Sequence, residues 1–321
     1  MIEETIKNFP KQFAWDPEIQ NKEQWKQFES FILVGMGGSH LAGDIFQAAA
    51  LGFNLLVRAD YGLPSWPLGV LKNTLVIASS YSGNTEEPLN AFEEAISKQI
   101  PVVAISIGGK LLEMAKKYGV PYIQIPDTGI QPRMATGFLF KALTKITGRE
   151  DLLSQAAELG VRLHPAELQE KGKALSQKLK GKIPIVYASS KNYCIAYIWK
   201  IKFNETAKIP AFYNVFPELN HNEMTGFDVK SSTKNLSEKF HFILLCDSED
   251  PERIQKRMNI LESLYTTREL SVEVVDMQGA SRLERIFSSL LLADWATLYA
   301  SQFYGTDPEQ VPMVEEFKKL M

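Results

Sequence analysis

The chain has 321 residues, enough for about two domains at the usual prior of roughly 100–200 residues each. Its composition, 45% hydrophobic and 23% charged, is ordinary for a globular protein, and a formal net charge of −3 leaves no excess of Lys and Arg to follow nucleic-acid phosphates. The two cysteines, Cys194 and Cys246, stand far apart, which argues against a disulfide framework or a structural zinc and fits a reducing cytoplasm.

The opening segment, MIEETIKNFPKQF, is acidic and has neither the basic start nor the apolar core of a secretory signal. Short apolar runs then alternate with helical patterns. FILVG (31–35), NLLVR (54–58), TLVIAS (74–79), VVAISI (102–107) and PYIQI (121–125) read as strands. Between the third and fourth, Leu89, Phe92, Ala95 and Ile96 recur at helical spacing, with Glu86 and Glu87 in the first turn where the helix dipole favours them. KLLEMAKKYG reads as a short helix closed by Gly119. From about 149 to 181 the chain turns helical and charged, and the alternation resumes with IPIVYAS (183–189), a helix over NYCIAYIWKIKFNE, AFYNVF (211–216), FHFILLC (240–246), a helix from Pro251, SVEVVD (271–276) and a last long helix. The stretch 286–303 is the most membrane-like, but it contains Asp294 and falls short of the roughly 20 apolar residues that span a bilayer, so a buried helix is expected there. FILVG-MGGS-helix-NLLVR resembles PIVYA-SSKN-helix-AFYNV, a faint internal repeat. The pattern predicts an α/β protein of two related domains, 1–150 and 151–321, each with a mainly parallel sheet flanked by helices.

Ligands of such sheets bind in the loops after the strands, so the informative residues should lie there. Gly35-Met36-Gly37-Gly38-Ser39-His40 invites comparison with a dinucleotide fingerprint, and Asp60 follows at the end of the next strand. G-x-G-x-x-G needs glycine where this chain has His40, which argues against a nicotinamide enzyme. Glycines at this point still let a ligand approach the backbone, and Ser39 can donate to it. The next loop, Ser79-Ser80-Tyr81-Ser82-Gly83-Asn84-Thr85, puts four hydroxyls of Ser and Thr and a glycine between a strand and a helix. These are ordinary helix-cap residues, or else Ser80, Ser82 and Thr85 surround a helix N-terminus to hold an anion. No Lys follows as in a P-loop, so a single phosphate monoester suits the loop better than a nucleotide triphosphate. Arg133, just before an apolar helix, is either a surface arginine beside a turn proline or a cation at the ligand edge of the sheet.

In the second half, Glu205 stands near a helix C-terminus, whose field raises a carboxylate's pKa and suits a general base, unless it is simply a solvated helix-end glutamate. The polar loop FPELNHNEMTGF holds Glu218, His221, Asn222 and Glu223, with carboxylates close enough in sequence to tune the histidine. No second histidine follows at i+3 or i+4, so metal binding has little support.

Taken together, GMGGS, SYSGNTEEPL, PRMATGFLF, NETAK, ELNHNE and the terminal DPEQVPMVEEFKKL resemble the bifunctional phosphoglucose/phosphomannose isomerases, built from two sugar-isomerase (SIS) domains. The motifs follow the family order across nearly the whole chain. The resemblance implies that Gly38, Ser39, Ser80, Ser82 and Thr85 hold a sugar phosphate. It implies that Glu205 is the base moving a proton between C2 and C1 through a cis-enediol, and that Arg133 stabilises the charge on that intermediate. His221 and Lys318 would serve ring opening. It further implies a cytoplasmic homodimer in which His221 reaches the neighbouring subunit's site, with no metal, no cofactor, and no nucleic-acid or membrane partner. His40 departs from the family's usual glycine; it either crowds the phosphate or adds a contact that alters substrate preference. A catalytically silent SIS protein that binds a sugar phosphate as a regulator is the competing reading, disfavoured by the joint presence of Glu205, Arg133 and His221.

Overall fold

The computed structural model describes residues 2–320, which divide into two compact units. One spans Asn8–Arg162; the other runs from Leu163 onward and includes the N-terminal residues through Lys7. The first unit therefore extends past the expected boundary at residue 150. The reason is the helix Glu150–Arg162, whose Leu152, Ala156 and Leu159 are buried and which packs on the turn Phe9–Ala14 and the helix Thr136–Ile146.

In the first unit, β1 (Phe31–Val34), β2 (Leu55–Arg58), β3 (Leu75–Ser79), β4 (Val102–Ser106) and β5 (Tyr122–Gln124) form one parallel sheet in the order β2-β1-β3-β4-β5. Ile32 lies opposite Val76, and Val34 opposite Ala78. Every residue of β1, β3 and β4 is buried, which requires cover on both faces and explains their unbroken apolar sequences. One core gathers Ile32, Val34, Val76, Ala78, Phe92, Ala104 and Leu111. The apolar stripe of the helix Glu86–Ser97, with Leu89, Phe92 and Ala95, is what seats that helix on the sheet.

The second unit repeats the theme with β6 (Ile183–Ser189), β7 (Phe212–Phe216), β8 (Phe240–Cys246) and β9 (Ser271–Asp276), all parallel in the order β7-β6-β8-β9. Tyr187, Phe216, Phe242, Leu244 and Tyr265 form its core. The expected buried helix is Arg282–Tyr304; its Asp294 pairs with the buried Lys202, and its Trp295 indole donates to the Pro165 carbonyl at 2.7 Å. Gly172 of the helix Pro165–Lys178 lets that contact form, because a methyl there would sit 2.4 Å from Trp295 Cβ. No helix among the described residues is long and apolar enough to cross a membrane.

Both sheets share one topological feature. The first strand is central, the second lies on one side and the third on the other. Connections therefore leave in opposite directions between β1 and β3, and again between β6 and β8, opening a crevice at the carboxyl ends of these strands.

Candidate active site

The two loops singled out by sequence in the first unit meet at the β1/β3 crevice. Ser39 lies in the first turn of the helix Gly38–Ala49, and its Oγ accepts the Tyr81 N–H at 2.9 Å, tying the glycine loop to the serine loop. Ser80 is buried and organises its own loop. Its Oγ accepts from Gly83 N at 3.1 Å and from Thr85 N at 3.4 Å, and its hydroxyl donates to Thr85 Oγ1 at 2.9 Å. The exposed Ser82 accepts from Asn84 N at 3.3 Å. Ser39, Ser82 and Thr85 thus each use an acceptor lone pair within the loops and keep an O–H to direct elsewhere. Thr85 is also the N-cap of the helix Glu86–Ser97, and no side chain caps that helix. The first turn of that helix, with its field and unpaired N–H groups, begins directly after Thr85. Gly83 has φ +76°, and a methyl on it would lie 1.9 Å from the Gly108 carbonyl oxygen, so only glycine lets the loop cross the β4 connection.

Arg133 sits in a short turn, Pro132–Met134, and is 4% exposed, so the surface-arginine reading does not hold. Its backbone lies against Gly38; a methyl on Gly38 would be 2.3 Å from the Pro132 carbonyl oxygen and 2.8 Å from Arg133 N. The start of the helix Gly38–Ala49 and the arginine turn are thereby brought into contact, a packing duty for Gly38 that the sequence did not announce. His40 is buried in the same helix, with Nε2 3.4 Å from Asp44 Oδ2 one turn on. Its ring is directed along the helix toward that carboxylate.

Glu205, His221 and Lys318 belong to the second unit. The helix Tyr193–Lys202 widens into a π-helical turn, Phe203–Ala207, which carries Glu205 half-buried and ends at Lys208 in the left-handed region at φ 59°. The Lys208 ammonium donates to the Glu205 carbonyl, and Asn204 Nδ2 to the Ile209 carbonyl at 2.9 Å, closing the wide turn. Such turns re-aim side chains that a regular helix would hold elsewhere. Upstream, the buried Lys202–Asp294 pair anchors the helix that leads into it. Lys318, in the helix Pro312–Leu320, is exposed and pairs with Glu315 Oε1 at 2.8 Å.

His221 is exposed on a turn after β7. The carboxylates expected to tune it have other partners. Glu218 Oε1 accepts from Asn222 Nδ2 at 2.7 Å, while the two Glu223 oxygens accept from the Tyr187 hydroxyl and from Asn214 Nδ2, the latter at 2.5 Å. Burial first, and then Tyr265 and Glu223, push the Tyr187 hydroxyl far above the usual phenol range, so it stays a donor to Glu223. Tyr187 and Asn214 escaped the sequence reading because they look like ordinary strand residues; what marks them is a position opposite the loop, on two neighbouring strands. A groove of about 610 Å³ beside the same turn, lined by Met224, Ile260, Leu264 and the cations Arg253, Lys256 and Arg257, holds none of the candidate catalytic side chains. No three His, Cys, Asp or Glu side chains among the described residues are grouped to hold a metal ion.

Residues 168–321 match the family model for the bacterial phospho-glucose isomerase C-terminal SIS domain. The chain is 35% identical to a bifunctional phosphoglucose/phosphomannose isomerase of Caldicellulosiruptor bescii, over 98% of this chain and 97% of the relative. It is 37% identical to the protein of that name from Thermoplasma acidophilum, over 91% and 89% of the two chains. Among solved structures, the C-terminal domain of the glucosamine-fructose-6-phosphate aminotransferase of Francisella tularensis superposes with a TM-score of 0.70 at 13% identity, covering 96% of this chain and 98% of that one, a likeness of fold. Identity of 35% and 37% over most of both chains, with the glycine and serine motifs seated directly after parallel strands, leads to one conclusion: the chain belongs to the family of bifunctional phosphoglucose/phosphomannose isomerases.

Proposed function

We propose that this sugar-phosphate isomerase interconverts glucose 6-phosphate and mannose 6-phosphate with fructose 6-phosphate through a cis-enediol, without a metal, as a homodimer of chains with two SIS domains each. The supporting observation is the β1/β3 crevice, where Ser39, Ser82 and Thr85 each retain a hydroxyl hydrogen beside a helix start. Uncharged donors and a helix end suit one phosphate monoester, and its binding energy orients the sugar. Ser80 holds the loop in shape.

Once the ring is open, Glu205 takes the proton from C2 of the aldose while O1 is protonated, forming the enediol. The same carboxyl then returns the proton to C1 as O2 loses its own, which leaves the ketose. One base serves both carbons because they are adjacent. Arg133, a permanent cation, stabilises the charge that develops on O1 and O2. His221, contributed to the neighbouring subunit's site, and Lys318 exchange protons with the ring oxygen and O1 during opening. Glucose and mannose phosphates differ only at C2, which is planar in the enediol, so either is reached from one intermediate.

The test is an assay with EDTA present that follows fructose 6-phosphate formation from each aldose separately. Turnover of both supports the full reading. Turnover of one keeps the mechanism and narrows the substrate. If neither reacts in a folded sample, the regulatory sugar-phosphate-binding reading takes its place.

A further inference from the structure

The β6/β8 crevice of the second unit is the counterpart of the β1/β3 crevice, yet it is lined differently. Where the first unit has SSYSGNT after β3, the second has Asp247-Ser248-Glu249-Asp250 after β8, with no glycine, and where the first has GMGGS after β1, the second has Ser190-Lys191-Asn192 after β6. The Asp247 side chain is fully buried, with cations around it. Oδ2 lies 2.6 Å from Arg282 Nη1 and 3.5 Å from Lys191 Nζ, and Oδ1 lies 3.2 Å from Arg285 Nε. Asn192 Nδ2 donates to Oδ2 at 3.3 Å, and the Glu249 N–H donates to Oδ1 at 3.1 Å. Arg285 is 5% exposed and Asn192 0%. This is the surround of an anion site: three cations within 3.5 Å of the two oxygens, with an amide and a loop N–H donating to them.

We propose that the second crevice is an anion site filled by the protein's own Asp247 carboxylate, which bars a phosphorylated ligand from it. The filling of this crevice stands apart from the function proposed above, which enters only through the ligand used to test it. The rest of the lining repels a second anion. Asp250 Oδ1 accepts from Ser189 Oγ at 2.7 Å, and both Asp250 Oδ2 and Asn192 Oδ1 are buried acceptors without a hydrogen-bond partner among the described residues. Arg285 and Lys191 also pair with Glu249, a further carboxylate beside the cluster. A phosphate entering here would meet oxygens already in place. The cluster has a structural task as well, since Lys191 and Asn192 immediately precede the helix that ends in the Glu205 turn.

Two measurements test this. Titration of the intact protein with a phosphorylated aldonate should give one equivalent per chain, and two equivalents overturn the proposal. Asp247→Ala leaves three cations around a vacancy and should lower Tm on the order of 10 °C. Formate, the size of the lost carboxylate, should return several degrees to the variant and none to the unsubstituted protein at equal ionic strength. A folded variant indifferent to formate overturns the proposal. Should Asp247→Ala not fold in plain buffer, formate present during refolding should recover folded protein, and no recovery overturns the proposal. If no aldonate binds at all, the serine-loop reading fails, and the formate result still decides whether the second crevice is a filled anion site.

Discussion

A serine hydroxyl has one hydrogen to give, so whatever already accepts it decides whether a ligand can use it. In this chain Ser80 gives its hydrogen to Thr85, while Ser82 only accepts from its own loop. Ser82→Ala should therefore act on binding, raising KM roughly tenfold, as for a hydrogen bond to a charged group, with kcat little changed; an unchanged KM in steady-state assays removes Ser82 from the phosphate site. Glu205→Gln keeps the shape of the side chain and loses the base. It should lower kcat by about 10²–10⁴-fold while a phosphorylated aldonate still binds in titrations; substantial residual turnover rules out the base assignment. Away from the site, His241 in β8 is 2% exposed, its Nδ1 2.7 Å from Ser271 Oγ. Burial foremost, helped by Lys178 and Lys182 against Glu273, lowers its pKa to about 4. The unfolded chain, with an ordinary histidine near 6.5, binds the proton more readily, so His241 contributes stability above pH ~6.5 that is lost as pH falls toward 4. Thermal melts across that window should show the loss, and His241→Asn, which reaches the Nδ1 position without titrating, should flatten it.

At the scale of elements, the histidine segment is held by the sheet beneath it. Glu223 is gripped by Tyr187 of β6 and Asn214 of β7, so two adjacent strands fix one loop. Tyr187→Phe removes one of the two donors and leaves the ring in the core. We expect faster amide exchange over residues 218–226 and about a tenfold lower kcat, with the phosphate-dependent part of binding retained. Unchanged exchange in this segment would show that Asn214 alone suffices. The π-helical turn does comparable work for Glu205, as does the Gly38 contact for Arg133. In the last two cases a main-chain feature, the wide turn or the close approach at Gly38, fixes where the side chain starts.

At the scale of the molecule, Glu205 and His221 are proposed to act together from different subunits, and this has a direct test. Glu205→Gln and His221→Ala chains, each inactive alone, are mixed and allowed to exchange. If the histidine serves the neighbour's site, a mixed dimer contains one site with both groups intact, and by statistical pairing roughly a quarter of all sites recover. If both groups serve the same chain, no site is complete and the mixture stays inactive.

Much of the architecture was legible along the chain. β6, β8 and β9 fall on the expected residues, and the other six strands differ by one or two residues at their ends. Continuous runs of Val, Ile and Leu bounded by turns have few alternatives, because a strand buried on both faces needs them at every position. The domain boundary was less legible. The stretch from about 149 to 181 reads as helical and charged, and nothing in it names the surface that Leu152 and Leu159 will cover. The identity of the serine, glycine and histidine motifs was likewise written in the sequence, since a motif is a local string. What they contact was not. His40 pairs with Asp44 and Glu218 with Asn222 one turn away, while Glu223 held by Tyr187 and Asp247 enclosed by Lys191, Arg282 and Arg285 depend on groups far away in sequence. The sequence by itself determined the α/β class, the strands and the motif-bearing loops, because these follow from periodicity and short-range turn chemistry. Tertiary structure alone decided which hydroxyl gives its hydrogen within the loop and which carboxylate Lys191, Arg282 and Arg285 enclose. Hydrogen bonds and ion pairs are settled by whichever donor and acceptor packing brings within about 3 Å, and distance along the chain carries no record of that.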